Sequence, residues 1–261
     1  MLVAYEAGRF AGAIAVACVT PPSDPPAVPC ALHVVPWARQ RGLGRELVAS
    51  AAGLARLWGV RAISSFEAVE ETSDEAQGWS RLGFAPTVAV ERFACEAIEL
   101  RRVLTPLWER LTSRGRVPAG SRLTSLAEAP REDVLKLRAM HLVGGSGSTE
   151  AALATDAYDQ ESSTVAWSRD GRVTGILLCR RMVDGVSHID SRVVTPGEQR
   201  TWVNVGLMHR SLDHGIAMGL RSVTFDAGPE HRDTAILAAK AGGVLVYRKN
   251  RYLLAVPPAA G

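Results

Sequence analysis

A turn from a predicted strand into a predicted helix, built around two glycines, constrains the fold more than any other stretch. An apolar run at residues 31–35 predicts the strand, and apolar positions with helical spacing continue from Leu43 to Trp58. Gly42 and Gly44 stand where the strand gives way to the helix. Glycines let an anion approach the backbone, and the first-turn N–H groups and the helix dipole favour a phosphate there. The segment therefore predicts an α/β unit with an anion site.

Three arginines, Arg39, Arg41 and Arg45, surround these glycines and add full positive charges. Together with the bare backbone they indicate a cradle for a pyrophosphate. The segment is not a Walker loop, because no Gly-Lys-Ser/Thr follows it. It is not a dinucleotide fingerprint either, because the third glycine is missing and no suitable acidic residue follows about 20 residues on.

Arg39, Gly42 and Gly44 match the acyl-CoA signature Arg/Gln-x-x-Gly-x-Gly/Ala, and the segment resembles that of the GCN5-related N-acetyltransferases (GNAT). The order of elements is also similar to this family: a strand at 60–66, a short helix at about 73–82 ending in Gly-Phe, and a last hairpin at 87–95. The resemblance covers roughly residues 3–95. It implies that coenzyme A contacts Val34, Val35, Arg39, Gln40, Arg41, Gly42, Leu43, Gly44 and Arg45.

The resemblance further implies that the fourth and fifth strands of the sheet splay apart and that acyl-CoA lies in the gap. It implies acetyl-CoA as co-substrate, no metal, and an amine as acceptor.

Composition and charge limit the partners and the cellular compartment that we expect for the protein. The net charge of +3 over 261 residues argues against a nucleic-acid partner. We find no apolar run long enough to span a membrane and no signal peptide, so we expect no membrane partner. The four cysteines, Cys18, Cys30, Cys95 and Cys179, lack Cys-x-x-Cys spacing and are expected as free thiols in the cytoplasm, without a zinc site.

Landmarks recur along the chain at a nearly constant offset. Residues 34–36 match 194–196, Gly59 matches Gly219 and Gly83 matches Gly243, each 160 positions later. Near the start of each copy, a charged turn joins two apolar strands, with Ala4-Tyr5 over Ala166-Trp167 and residues 8–12 over 171–175. The repeat predicts two copies of one fold: residues 1–96, a linker helix at 97–119, and residues 120–261.

The second copy lacks the cradle. At the offset of 160, Arg39, Gly42 and Gly44 become Gln199, Trp202 and Asn204, with only Arg200 supplying charge. Side chains at those positions should exclude a pyrophosphate. We therefore expect a degenerate second copy that does not bind acyl-CoA by this route.

The two copies also begin differently. The second has a strand at 121–126, a helix at 132–142 and another at about 149–158 before its hairpin, whereas the first opens directly on a strand at 2–7. In the resembled family these elements form one side of the acceptor site, so the first copy is expected to be truncated. A partner chain, for which a homodimer is one arrangement, is one way to complete that side. The apolar stripe of the 97–120 segment predicts a helix packed between the domains.

The catalytic groups are harder to assign. In the resembled family the acid is often a Tyr four residues before the Gly-Phe glycine, a position held here by Trp79, and the base positions correspond to Val28 and Cys30. As catalytic substitutes we name His33, Glu70 and Glu71, with Glu67 beside the two glutamates. A packed strand histidine is the plainer interpretation of His33, whereas a solvated acidic loop and a catalytic carboxylate are equal alternatives for the glutamates.

Other polar groupings point away from catalysis. His209 and His214 do not align as a metal pair, His188 and Asp190 are expected on a strand edge, and the glycine-serine stretch at 144–148 is expected as a loop. Asp226 and His231 could serve only if the two copies share a cleft.

The sequence thus predicts a mixed α/β protein of two tandem GNAT-like domains. Its leading function is acyl-CoA-dependent acetylation of an amine on a small molecule or protein. The alternative is a non-catalytic acetyl-CoA-binding or regulatory protein.

Overall fold

Strand β1 (Leu2–Glu6) and strand β2 (Arg9–Val16) form an antiparallel hairpin at the start of the chain. The turn between them uses Ala7 and Gly8 at φ of 49° and 75°. Strand β3 (Ala27–Val34) then pairs antiparallel with β2. The computed structural model describes residues 1–17, 27–141, 158–195, 200–229 and 232–257.

Helix α1 (Leu43–Leu57) follows a short 3-10 turn at Pro36–Ala38. Its apolar spacing buries one face, comprising Leu47, Val48, Ala51 and Ala55. After Gly59, which adopts a φ of 71°, strand β4 (Ala62–Ser65) runs parallel to β3, as a helical crossover requires.

A short strand, β5 (Val69–Glu70), leads to helix α2 (Asp74–Arg81), which is capped by the Ser73 hydroxyl. The next element is a single strand, β6 (Ala85–Glu96). The expected hairpin at 87–95 is therefore wrong. The β-branched and aromatic residues of this segment continue in one extended run of 12 residues without a turn.

In the described part of the chain, three helices and five strands come next, followed by the last helix and strand. They are α3 (Ala97–Ser113), β7 (Arg122–Ser125), α4 (Arg131–His141), β8 (Thr164–Trp167), β9 (Val173–Cys179), β10 (Val186–Val194), α5 (Arg200–Ala217), β11 (Ser222–Ala227), α6 (Arg232–Lys240) and β12 (Val244–Ala255). The expected helix at 149–158 and the loop at 144–148 lie outside the described residues, apart from Tyr158.

The chain divides into two compact units, and both have a mixed α/β architecture, as predicted. The first contains residues 1–91 and 247–261, and the second contains residues 92–246. In the first, the strand order is β1-β2-β3-β4-β12-β6, and in the second it is β6-β11-β10-β9-β8-β7. Each unit has its own apolar core.

These units differ from the expected bounds of 1–96 and 120–261 at the C-terminal end. Strand β12 pairs antiparallel with β4, with Leu253 opposite Ser64 and Ala255 opposite Ala62. The Tyr252 amide also donates to the Ser65 hydroxyl at 3.1 Å. These bonds place the last strand in the first unit.

Helix α3, expected between the domains, packs on α5 within the second unit. Arg101 pairs with Asp213, the Thr105 hydroxyl lies 3.2 Å from the His209 ring, and Trp108 stacks on the same ring at 6.1 Å. The apolar stripe of the linker is thus part of the second core.

Hydrogen bonding inside each unit repeats at the predicted offset. The Val60 amide donates to Ala55 at 2.9 Å, and 160 positions later the Leu220 amide donates to Gly215 at 2.8 Å. Strand irregularities also recur, between Ala4 and Tyr5 and between Ala166 and Trp167.

One landmark of the repeat is displaced by a residue. Gly83 and Gly242 are the residues with positive φ (90° and 67°) after α2 and α6, so the counterpart of Gly83 is Gly242, not Gly243. The following amides donate equivalently, Phe84 to Trp79 and Gly243 to Ala238. The second copy is therefore one residue shorter between Gly219 and this turn.

Candidate functional site: a groove at the start of helix α1

A groove of about 980 Å³ opens in the first unit between the end of β3, the start of α1 and one side of α2. Its walls include most of the residues that the motif predicts. They are Val34, Arg39, Gln40, Gly42, Gly44 and Arg45, and His33 also lines the groove. The structure thus brings the predicted cradle and His33 into one cavity.

The end of the groove at α1 has the backbone geometry of an anion site. Gly42 caps α1 at a φ of 90°, a conformation that side-chain-bearing residues rarely adopt. Its carbonyl accepts from the amides of Arg45 and Glu46, at 2.9 and 3.2 Å. The amides of Leu43 and Gly44 precede these first helical bonds and therefore point out of the helix end.

The three arginines of the motif differ in their contacts. Arg39 lines the groove, and its Nε donates to the Val34 carbonyl at 2.9 Å, which fixes the guanidinium beside the cradle. Arg45 also lines the groove, from the first turn of α1. Arg41 instead pairs with Glu6 through both of its terminal nitrogens, at 3.0 and 2.6 Å. Its charge is therefore partly neutralised on the β1 side.

Val35 and Leu43 complete the set of predicted cofactor residues. The Val35 amide donates to the Ala11 carbonyl at 3.0 Å, so this peptide is part of the β2–β3 ladder. The Leu43 side chain packs against the core of the first unit. Neither side chain lines the groove. Only the backbone of these two residues is therefore available to contact a ligand in the cradle.

The first copy lacks the first strand of the resembled family, so its β3 and β4 correspond to the fourth and fifth strands that are expected to splay apart. Pairing between the two strands ends at Cys30 and Ser65, with the Phe66 amide donating to Cys30 at 2.8 Å beyond it. Strand β3 continues to Val34. Since the odd-numbered peptides bond to β2, the amides of Leu32 and Val34 point toward the gap.

The α2 wall of the groove carries charge and an aromatic ring. Asp74, Glu75 and Arg81 line it, and none of them was singled out from the sequence. Trp79 is only 7% exposed, packs edge-on against Phe84 at 4.8 Å, and donates its indole N–H to Glu75 at 3.3 Å. At the position where the resembled family often has an acid, this chain has a wall residue. The helical spacing of Glu75 and Trp79, four apart, is the signal that could have identified the pair.

Other predicted catalytic residues lie elsewhere. Glu70 is exposed on β5, and Glu71 lies 3.7 Å from Arg248, which also binds Glu91. Neither lines the groove with His33. Cys30 is 1% exposed, and burial raises the pKa of its thiol to about 12, so it remains a neutral core residue.

In the second unit an arginine side chain joins the strand and the helix that correspond to two walls of the groove. Arg192 occupies the position of Leu32, since Leu177 pairs with Arg192 as Ile14 pairs with Leu32. The Arg192 guanidinium donates to the Thr234 hydroxyl at 2.7 Å and lies 3.4 Å from Asp233, so it bridges β10 and α6. The sequence comparison missed this arginine because it lies outside the signature.

The cradle positions of the second unit are also altered. Helix α1 begins at Leu43, which corresponds to Val203 at the offset of 160. Helix α5 is already helical at Arg200, three positions earlier. Trp202 is therefore a helix residue, and its side chain is buried in the core, 2% exposed, instead of standing in the phosphate position as expected. Asn204 lies on the same helix, and Gln199 lies outside the described residues.

The remaining polar candidates of the second unit form ordinary pairs. Asp226 binds Arg92 through both oxygens at 2.6 and 2.8 Å, and Asp190 accepts from Tyr158 and Arg180. His209 pairs with Asp213 at 3.1 Å. The whole of the 18–26 segment, which includes Cys18, and His231 lie outside the described residues. Among the residues that are described, no cluster is arranged to hold a metal ion, and no helix is long and apolar enough to cross a membrane.

Comparison with known proteins supports the family resemblance of the segment that forms the groove. A sequence model of the acetyltransferase (GNAT) family matches residues 1–84, which include β1 to β5, α1 and α2. The matched residues include Arg39, Gly42 and Gly44, so the resemblance inferred from these three residues is confirmed. A comparison with curated proteins finds no match.

Solved structures extend the likeness of fold to the whole chain. A GCN5-related N-acetyltransferase from Anabaena variabilis is 13% identical, with a TM-score of 0.56, over 98% of this chain and 62% of its own. A probable N-acyltransferase from Enterococcus faecalis is 12% identical, with a TM-score of 0.57, over 95% of this chain and 60% of its own. A tandem GNAT protein from the clavulanic acid biosynthesis pathway is 18% identical over 98% of this chain and 82% of its own, with a TM-score of 0.47.

Proposed function

We propose that the protein is a cytoplasmic N-acetyltransferase that transfers an acetyl group from acetyl-CoA to an amine. The observation that carries the proposal is the groove itself. It joins an anion cradle at Gly42 to a splay whose backbone amides, at Leu32 and Val34, face the gap. A coenzyme with a pyrophosphate at one end and a thioester at the other fits these two features.

The coenzyme is held at both ends in this proposal. The amides of the first α1 turn and the guanidinium groups of Arg39 and Arg45 bind the pyrophosphate. An amide of the splayed β3 donates to the thioester carbonyl oxygen and stabilises the charge that develops there. The residues present therefore suit acetyl-CoA, which supplies the acyl group.

Acetyl transfer then needs an uncharged amine. His33 lines the groove at the splay, and we assign it as the base that takes a proton from the acceptor ammonium. The amine nitrogen bonds to the carbonyl carbon, the carbon–sulfur bond breaks, and the nitrogen loses its second proton to water, while the thiolate takes a proton from water. Glu70 and Glu71 are second choices as the base, because they lie outside the groove.

A non-catalytic acyl-CoA-binding protein is the second candidate function. Trp79 is the observation that favours it, because an indole N–H bound to Glu75 cannot protonate a thiolate. Positioning alone can still supply much of the rate of such a transfer.

Two measurements on the same preparation separate these functions. Calorimetry reports acetyl-CoA binding, and a thiol reagent reports coenzyme A release in the presence of a panel of amines. Binding with amine-dependent release supports the transferase. Binding without release on any amine supports the non-catalytic protein, and no binding overturns both.

A further inference from the structure

The first three strands of the first unit match three strands of the second in register. One row across β1, β2 and β3 contains Val3, Ala13 and His33, with Val3 opposite Ala13 and Ala13 opposite His33. The corresponding row across β8, β9 and β10 contains Val165, Ile176 and Val193. Both units have a register shift at the next position along the first strand. After this shift, the Tyr5–Phe10 pair of the first unit corresponds to the Trp167–Val173 pair of the second.

In the second unit this sheet face is part of the core. Helix α4 covers it with Val134 and Leu137, and Val165, Trp167 and Ile176 are at most 5% exposed. In the first unit the same face is open. Val3, Tyr5 and Phe10 are 42%, 69% and 43% exposed, although the unit contains the same strands in the same register.

The side chains on the open face are not those that a helix would need. Ile176 and Leu178 of the second unit are replaced by Ala13 and Ala15, and Val193 is replaced by His33. An apolar helix packed here would leave voids above the alanines and bury an imidazole. The replacements instead produce a shallow floor of small residues that ends at His33.

An aromatic pair borders this floor. Tyr5 and Phe10 meet edge to face at 6.3 Å between ring centres. Phe10 is three residues from Ala13 along β2, about 10 Å at the usual strand rise of roughly 3.3 Å per residue. A flat ring lying on the floor can therefore contact the aromatic pair while an attached amine reaches His33.

We propose that this open face binds the acceptor, and that the acceptor is a small primary amine carrying an aromatic ring. The inference rests on the proposed function for the place of the reaction and goes beyond it in naming the substrate class. The ring packs on Ala13 against Tyr5 and Phe10, where edge-to-face contact is favourable. The amine lies beside His33 at the splay.

The test uses the full chain saturated with coenzyme A and two amines, 2-phenylethylamine and propylamine. Calorimetric titration should show the aromatic amine binding at least tenfold more tightly. Ala13→Ile, which restores the second-unit residue, should weaken 2-phenylethylamine at least tenfold and leave coenzyme A affinity within twofold. Tyr5→Ser, at an exposed side chain, should weaken the aromatic amine alone.

Ala31→Ser is the matched control. Ala31 is opposite Ala15, its second-unit counterpart is Ser191, and the exchange adds little volume. This variant should bind both amines as the wild type does.

Equal affinity for the two amines, or no effect of Ala13→Ile, overturns the inference while acetyl-CoA binding leaves the proposed function standing. A stable dimer that Ala13→Ile disrupts would also overturn it, because the face would then be an interface between copies. Failure of coenzyme A to bind removes the proposed function, and this inference with it.

Discussion

Arg192 donates a 2.7 Å hydrogen bond to Thr234 and so spans the groove of the second unit at the position where Leu32 leaves the first groove open. Together with the earlier start of α5, this contact is a reason to expect that the second copy does not bind coenzyme A.

Arg192→Leu, which introduces the first-unit residue, should lower the free energy of unfolding by about 1–2 kcal/mol, because the Thr234 bond is lost from a side chain only 16% exposed. It should not create a second coenzyme A site, since α5 is already helical at the cradle positions. Urea unfolding and calorimetry measure the two effects. Arg172→Leu, at an 82% exposed side chain, is the control and should cost less than about 0.5 kcal/mol. A new binding site in Arg192→Leu would contradict this account.

Arg39→Ala should weaken coenzyme A more than Arg41→Ala does. Arg39 lines the groove, whereas Arg41 is held by Glu6. A charge-assisted bond to phosphate is worth about 1.5–3 kcal/mol, or roughly 10- to 150-fold in affinity. Pantetheine lacks the pyrophosphate, so its affinity should change little in either variant. Equal losses of coenzyme A affinity in both variants would show that the ion pair with Glu6 does not keep Arg41 from binding the pyrophosphate.

His33→Ala should remove an ascending limb from the pH–rate profile of acetyl transfer. A histidine base must lose its proton before it can accept one from the acceptor ammonium, so the rate should rise with pH. Glu70→Gln provides a matched control outside the groove. A limb that persists in His33→Ala but disappears in Glu70→Gln would assign the base to Glu70.

Much of the first unit could be predicted because its signals are local. Gly42 and Gly44 between a strand and an amphipathic helix define the cradle, and the recurring landmarks define the repeat. Contacts between segments that are distant in the sequence leave no comparable local pattern. Nothing near Arg41 indicates that Glu6 will bind it, and nothing in β12 indicates that it pairs with β4, because both depend on contacts between distant segments. The Arg192 bridge was missed for the same reason.

Stability should fall as the pH is lowered below about 6.5, in part through His188. Burial, and then the nearby Arg92, lower the pKa of this imidazole from its ordinary value of 6.5, although Asp226 and Asp190 partly oppose the shift. The unfolded chain therefore takes up the proton first, which favours unfolding at acid pH. Urea midpoints of the wild type and His188→Gln should differ in their slope between pH 6.5 and 5. At pH 8, where the imidazole is uncharged in both states, the comparison isolates the loss of the Thr224 contact. An unchanged slope in the variant would contradict the assignment.

The central claim is that one acyl-CoA binds in the groove of the first unit, at the bare backbone of Gly42. Nothing lies within 4 Å of a Cβ atom added at Gly42, so Gly42→Trp would direct an indole into the space where the pyrophosphate is proposed to lie. Gly53→Ala, also with open space around the added methyl group but in the interior of α1, is the control. Calorimetric titration with acetyl-CoA should give one site per chain in the wild type and in Gly53→Ala, and no detectable binding in Gly42→Trp. Two sites per chain, or binding that persists in Gly42→Trp, would contradict the account.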